Sequence, residues 1–238
     1  MFLSTLRSRC LAPAWAGCVL LGLAGCASAP VGEGVPAPQL AVGDYWHYKV
    51  TDNLRRGVES QLEAKVITVS GGAARIQFDR VDAGDHSEWI DEVDSKGGLR
   101  TGSLYREPPR SFNPPARLLD FPLDQGKTWR QTIDTLRSDT ELKDQILIYG
   151  RVDTPGTTIV PAGSFSAVYV YRIVQLDDEE FWRTRTLLRA AIWYAPEVKG
   201  AVRESRDAQY TEKDSSDPAT IRTEAITLEL QSFRPGGK

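Results

Sequence analysis

The chain has 238 residues, a formal net charge of −3 at neutral pH, and 41% hydrophobic residues. A nucleic-acid partner normally requires a basic surface, so this acidic balance argues against one. Three cysteines are present, and two of them, Cys10 and Cys18, lie in a segment that we expect to be removed. The remaining cysteine allows neither a disulfide nor a cysteine-based zinc site, and we predict no cofactor and no metal.

The first 25 residues have the features of an export signal. Arg7 and Arg9 form a basic start, and an apolar stretch follows over residues 10–25, which proline and glycine interrupt. The stretch is too short to span a bilayer, which takes about 20 apolar residues. It ends in Leu23-Ala24-Gly25-Cys26, which resembles the lipobox of bacterial envelope lipoproteins.

The resemblance implies that residues 1–25 are a cleaved signal peptide and that Cys26 carries lipid, so one partner is the membrane itself. Ala27, rather than an aspartate, follows Cys26. In lipoproteins of two-membrane bacteria this favours the periplasmic face of the outer membrane. An ordinary signal peptide, cut after Ala27 or Ala29, is the alternative. Residues 26–39 are rich in Ala, Pro and Gly and predict a flexible tether.

Residues 40–238 show the pattern of an all-β domain. Apolar and polar residues alternate with period two between Gly, Asp, Asn and Pro, and no amphipathic helix stands out. Short turns predict antiparallel neighbours, and therefore a meander of about eleven strands. The predicted strands lie at residues 45–50, 59–69, 74–79, 86–93, 99–105, 128–135, 145–152, 165–174, 186–194, 201–210 and 225–231.

A proline-rich stretch, Glu107–Pro122, interrupts this alternation, because proline cannot donate a ladder hydrogen bond. We expect it to cross between two possible halves, residues 40–106 and 117–234. Gly43-Asp44-Tyr45-Trp46 and Gly126-Lys127-Thr128-Trp129 each place a turn glycine before a strand tryptophan. This similarity hints at a duplication, and a chance match is the alternative.

Three phrases of the second half resemble an uncharacterised domain family of bacterial envelope lipoproteins. They are Phe121-Pro122-Leu123 with Gly126-Lys127-Thr128-Trp129, Val160-Pro161-Ala162-Gly163-Ser164-Phe165, and Trp193-Tyr194-Ala195-Pro196-Glu197 with Gly200. The resemblance spans roughly Leu118–Glu204. It implies an open or half β-barrel similar to the periplasmic lipoprotein carriers. Those carriers plug the mouth of the sheet with helices, and none is predicted here.

The candidate ligand contacts are the tryptophans that remain after cleavage, because aromatic rings along a sheet face can stack on sugars or hold acyl chains. They are Trp46, Trp89, Trp129, Trp182 and Trp193. The alternative is that these rings only fill the core. The two histidines, His47 and His86, lie in no catalytic motif. We therefore predict that the protein is not an enzyme.

Three functions remain open for such a chain. A membrane-anchored periplasmic lipoprotein that binds an apolar or amphiphilic ligand, such as a lipid, a lipoprotein or a cell-wall polymer, predicts an apolar concavity without converging titratable groups. A structural or assembly partner of an envelope complex predicts a flat apolar patch. A cell-wall hydrolase predicts carboxylates or a histidine with perturbed pKa values at the floor of a cleft.

Overall fold

The computed structural model describes residues 34–82, 84–105, 108–136, 143–213 and 217–237. Cys26 and the predicted signal peptide lie outside these ranges. The strands of the described residues are β1 Tyr45–Asp52, β2 Val58–Ser70, β3 Ala73–Asp82, β4 Asp85–Asp94, β5 Leu99–Gly102, β6 Arg110–Ala116, β7 Thr128–Leu136, β8 Lys143–Val152, β9 Gly156–Val160, β10 Gly163–Gln175, β11 Leu187–Ala195, β12 Gly200–Thr211 and β13 Thr220–Arg234. One short 3-10 helix, Pro196–Val198, separates β11 from β12. No helix in the described ranges is long and apolar enough to cross a membrane.

The strands form one antiparallel sheet that curls into a nearly closed barrel. From β1 the sheet runs through β2, β3, β4 and β5 to β6 in one direction, and through β13, β12, β11, β10 and β8 to β7 in the other. β9 lies off this path. It pairs with the first residues of β10 and packs on β12 and β13, and Ala162 N in the turn between β9 and β10 donates to Leu230 O at 3.0 Å. The predicted all-β antiparallel meander is confirmed, and the barrel is open along one seam.

The seam lies between β6 and β7, where no backbone ladder joins the strands. Pro114 and Pro115 belong to β6 and have no N–H to donate. Side chains bridge the gap instead. Gln131 of β7 accepts a hydrogen bond from Arg117 N at 2.8 Å and donates one to Pro115 O at 2.9 Å. The proline-rich stretch therefore sets the position at which the sheet is interrupted.

Eleven of the strands overlap the predicted ranges, and two were not predicted. β6 lies inside the proline-rich stretch, so part of the expected crossing is an edge strand. β9 has only five residues and no long alternating pattern. The two predicted halves meet in a single sheet through the pairing of β1 with β13. β7, the expected counterpart of β1, instead ends the ladder at the seam.

Period-two alternation directs one face of each strand to the barrel interior. Trp46, Tyr48 and Val50 of β1 are buried, and so are Ile226, Leu228 and Leu230 of β13, while their neighbours are more exposed. Full burial of such a side chain contributes roughly 1.5–3 kcal/mol. Side chains of this kind fill the barrel interior in three apolar clusters.

The two ends of the described chain meet at one end of the barrel, which we call the N-terminal end. Fully buried Asp44 accepts hydrogen bonds there from the backbone N–H groups of Ala41 and Gly236 and from Nζ of Lys199 at 2.7–2.9 Å. Burial disfavours the charged carboxylate, but these hydrogen bonds outweigh it and hold the pKa of Asp44 below its usual value. One carboxylate thus joins the residues just before β1 to those just after β13.

The packed chain begins before Leu40, inside the stretch predicted as a tether. Val35 is 5% exposed and forms an isolated antiparallel bridge with Leu123. Leu123 N donates to Val35 O at 2.7 Å. A single apolar residue among prolines and alanines gives no alternation pattern, so the sequence pattern does not indicate this contact.

Candidate functional site

A cavity of about 230 Å³ lies inside the barrel at its N-terminal end. We call it the apolar pocket, because its walls are mainly hydrophobic side chains such as Leu40, Trp46, Ala64 and Ile76. Trp46 Nε1 donates to Val198 O at 2.7 Å, so the polar edge of the indole is already satisfied by the protein. The pocket therefore offers mostly apolar surface to a ligand.

A second cavity of about 140 Å³ adjoins the apolar pocket, and Phe78 lines both. We call it the polar chamber, because Asp91, Arg172 and Arg206 are among its lining residues. Arg206 forms a two-pronged ion pair with buried Glu204, with Nε–Oε1 at 2.8 Å and Nη2–Oε2 at 3.1 Å. The lumen is thus mainly apolar on one side of Phe78 and charged on the other.

Asp91 is the group of the chamber whose pKa lies closest to neutral pH. Burial raises its pKa to about 7, although a backbone hydrogen bond from Ser103 and the positive charge of Arg206 act in the opposite direction. Its Oδ1 atom is buried and has no hydrogen-bond partner among the described residues. Asp91 can therefore gain or lose a proton near physiological pH and accept a further hydrogen-bond partner.

The arginines differ in how firmly they are held. Burial disfavours the charged form of both, but for Arg206 the attraction of Glu204 outweighs that cost and raises its pKa. For Arg172 the burial outweighs Glu204, and the pKa is lowered from its usual value. Arg172 contacts Glu204 Oε1 at 3.5 Å and Leu118 O at 3.3 Å, which are long distances for charge-assisted hydrogen bonds. Arg172 is therefore the less satisfied of the two cations.

The charged residues of the chamber stand at positions that alternation assigns to the interior. The interior faces read Trp89-Asp91-Val93 on β4, Val170-Arg172-Val174 on β10 and Val202-Glu204-Arg206-Ala208 on β12. The ligand-binding hypothesis predicts an apolar concavity without converging titratable groups, and the second part of that prediction is wrong. A charged residue within an apolar strand face is the sequence feature that could have indicated the chamber. Its partner stands on another strand, so the pattern of one strand does not reveal the pair.

Two of the five candidate tryptophans line the lumen. Trp46 is a wall of the apolar pocket, and Trp89 is a wall of the polar chamber. Trp89 stacks on Phe78 with a centroid distance of 4.9 Å and an interplanar angle of 5°. The stacked rings form one side of the lumen where the two cavities adjoin.

The other three tryptophans lie elsewhere, so the five do not form one row. Trp129 is 5% exposed and donates from Nε1 to Arg117 O at 2.9 Å beside the seam. Trp193 packs against Tyr169 at 5.2 Å and lines neither cavity. Trp182 stands in the loop between β10 and β11, at the end of the barrel opposite the N-terminal end.

The two histidines line neither cavity. His86 Nε2 lies 2.9 Å from Asp79 Oδ1 and 3.6 Å from Glu88 Oε1 on the exposed β3–β4 hairpin. These three side chains are the described group whose atoms are close enough together to hold a metal ion. An ordinary ion pair between neighbouring strands explains the same arrangement.

A scan against protein-family models and a search of curated proteins both find no match. A solved structure from Parabacteroides distasonis, assigned as a lipoprotein, aligns with a TM-score of 0.50 and 12% identity over 85% of this chain and 100% of that one. An exported protein of Bacteroides fragilis with a YmcC-like fold gives 0.47 and 12%, over 85% and 100%. The hypothetical lipoprotein YmcC of Escherichia coli gives 0.39 and 7%, over 80% and 85%. The chain thus shares the barrel fold of the Parabacteroides structure.

Proposed function

We propose that this chain is a lipid-anchored protein of the cell envelope, held on the periplasmic face of the outer membrane, that binds an apolar or amphiphilic ligand inside its barrel without transforming it. The observation that carries the proposal is the apolar pocket at the N-terminal end. Each methylene group that leaves water for such a pocket contributes about 0.8 kcal/mol. A hydrocarbon segment is therefore the ligand that this surface favours.

The position of the pocket supports an envelope ligand. Pro38 and Leu40 line it, and Pro38 follows Cys26 by twelve residues. Twelve extended residues span at most roughly 40 Å. A lipid on Cys26 would therefore keep this end of the barrel close to the membrane that holds the anchor. A ligand leaving that membrane would reach the pocket without passing around the barrel.

The proposal is tested with the exported chain carrying Cys26→Ser, purified without detergent, by native mass spectrometry. We expect an extra mass from a bound ligand, and organic extraction should release that ligand chemically unchanged. Ala64→Phe, which fills the apolar pocket, should abolish it, whereas Ala191→Phe, on a residue that lines neither cavity, should leave it. A clean mass that no added lipid shifts would overturn the proposal.

The hydrolase alternative has one supporting observation, because a carboxyl with a pKa of about 7 suits general acid–base catalysis. The same mass measurement separates the two functions. A binding protein returns the extracted ligand intact. A hydrolase accumulates a cleaved product, and its product formation would be lost in Asp91→Asn.

The assembly alternative rests on the opposite end of the barrel. Phe181 is 82% exposed beside Trp182, in a loop that an ion pair of 3.1 Å between Arg183 and Asp178 braces. A braced aromatic tip of this kind suits a protein contact. A photo-crosslinker at position 181 would capture a defined envelope protein if this alternative holds, and a crosslinker at Ile159, also exposed, is the control.

A further inference from the structure

We infer that the ligand of the lumen is a single-chain amphiphile with one negative charge, a long-chain carboxylate. Its head group would bind Arg172 and Arg206 in the polar chamber, and its hydrocarbon chain would occupy the apolar pocket. This inference rests on the proposed function, because it names the class of ligand for the same cavities.

The two cavities are arranged in the order that such an amphiphile requires. Phe78 lines both, and the consecutive residues Leu118 and Leu119 line the chamber and the pocket, respectively. The apolar pocket lies at the N-terminal end, and the charged groups lie beyond it. A ligand that enters with its head group first would leave its hydrocarbon chain toward the membrane.

The size of the lumen favours one chain. The pocket has about 230 Å³ and the chamber about 140 Å³. Together they stand near the lower end of the range of about 300–1,000 Å³ for small-molecule sites. A lipid with two acyl chains would need more space than both cavities offer.

Arg172 is the cation of the chamber that a ligand anion can best reach. At interior positions the cations are Arg172 and Arg206, and the carboxylates are Asp91, Glu204 and Glu224. Arg189, Asp207 and Arg222 form a separate ion-pair network, in which the side chain of Arg222 is 56% exposed. Glu204 makes its short contacts with Arg206, so Arg172 has no close anion of its own. An ionised Asp91 would repel a ligand carboxylate, so the carboxylate would bind with Asp91 protonated.

Arg172 is the residue that gains most from such a ligand. Its present contacts of 3.3 and 3.5 Å are longer than the usual 2.7–2.9 Å of an arginine–carboxylate pair. A ligand carboxylate would shorten them, and a protonated Asp91 could donate a hydrogen bond from its unpartnered oxygen to the same head group.

The test titrates the Cys26→Ser chain, stripped of lipid, with a fatty acid, the alcohol of the same length and the amine of the same length. We expect the acid to bind at least about tenfold more tightly than either analogue. Equal binding of all three would overturn the inference and leave the proposed function standing. Binding of none would overturn both.

Variants assign the head-group site. Arg172→Gln should weaken the acid about tenfold or more and leave the alcohol unchanged, and Glu204→Gln, which removes the competing carboxylate, should tighten the acid. The control is Arg203→Gln, because Arg203 stands next to Glu204 on β12 but lines neither cavity. Because the two lumen variants act in opposite directions, a shared folding defect would not imitate the result. Acid affinity that is unchanged in both variants would overturn the inference.

The pH profile gives an independent readout. Because Asp91 takes up a proton when the carboxylate binds, affinity for the acid should fall about tenfold per pH unit above neutrality. Affinity for the alcohol should not change. Asp91→Asn should flatten the profile for the acid, and a profile identical to that of the unsubstituted chain would contradict the assigned role of Asp91.

Discussion

Replacing Asp91 by asparagine removes a buried ionisation from the lumen with almost no change of volume. In the folded protein burial raises the pKa of this carboxyl from 3.8 to about 7. That difference corresponds to roughly 4 kcal/mol between the two protonation states. Above neutral pH Asp91 is ionised in both states, but its charge is buried in the folded protein and hydrated in the unfolded chain. Native Asp91 therefore lowers the free energy of unfolding by up to that amount.

The sign of the pH dependence follows from proton uptake. Between about pH 4 and 7 the folded protein keeps a proton on Asp91 that the unfolded chain has released, so the contribution of Asp91 to stability falls as pH rises and stays low above 7. Asp91→Asn removes this dependence. We therefore expect the variant to gain roughly 2–3 kcal/mol relative to the native chain on going from about pH 5 to about pH 8.

The assay is urea unfolding followed by tryptophan fluorescence at both pH values. Asp85→Asn, an exposed position at the start of β4, is the control and should show the same difference from the native chain at both. If Asp91→Asn also shows a pH-independent difference, the carboxyl is not buried as described, and the polar chamber is more open to water than the structure indicates.

Three further predictions concern packing and ion pairs. Gly150→Ala should lower the free energy of unfolding by about 1–3 kcal/mol, because its Cβ would stand 2.0 Å from the buried ring of Trp129. The control is Gly156→Ala, whose Cβ would have nothing within 4 Å and which should change stability by less than about 0.5 kcal/mol. Chemical denaturation compares the two variants. Asp44→Asn should destabilise the protein near neutral pH and progressively less as acid protonates native Asp44, since a lowered pKa contributes stability only above the unfolded value. Arg110→Met should cost about 3–5 kcal/mol by leaving buried Asp144 without its cation, and adding Asp144→Leu should restore part of it; equal losses in the single and double variants would contradict this.

Strand positions were predictable because they depend on local alternation. The faces of Trp46, Tyr48 and Val50, and of Ile226, Leu228 and Leu230, are buried as the pattern requires. β6 was missed because its prolines are typical of loops, and they are tolerated there because the strand borders the seam.

The polar chamber was missed for a different reason. Arg172 occupies an interior position between Val170 and Val174, which reads as an isolated exception in an apolar strand. Arg172 forms an ion pair with Glu204, which stands on β12, and β11 lies between the two strands. The contact depends on the register of three neighbouring strands, because Arg172 pairs with Ala190 and Ala190 pairs with Arg206. Periodicity in one strand carries no information about that register.

Closing the barrel through β1 and β13 has a consequence for how the chain folds. Val50 pairs with Leu228, so β1 finds its second neighbour only in β13, the last of the described strands. Contacts of such large sequence separation slow folding, and the second edge of β1 stays unpaired until β13 is available. Until the barrel closes, that open edge can pair with another extended chain.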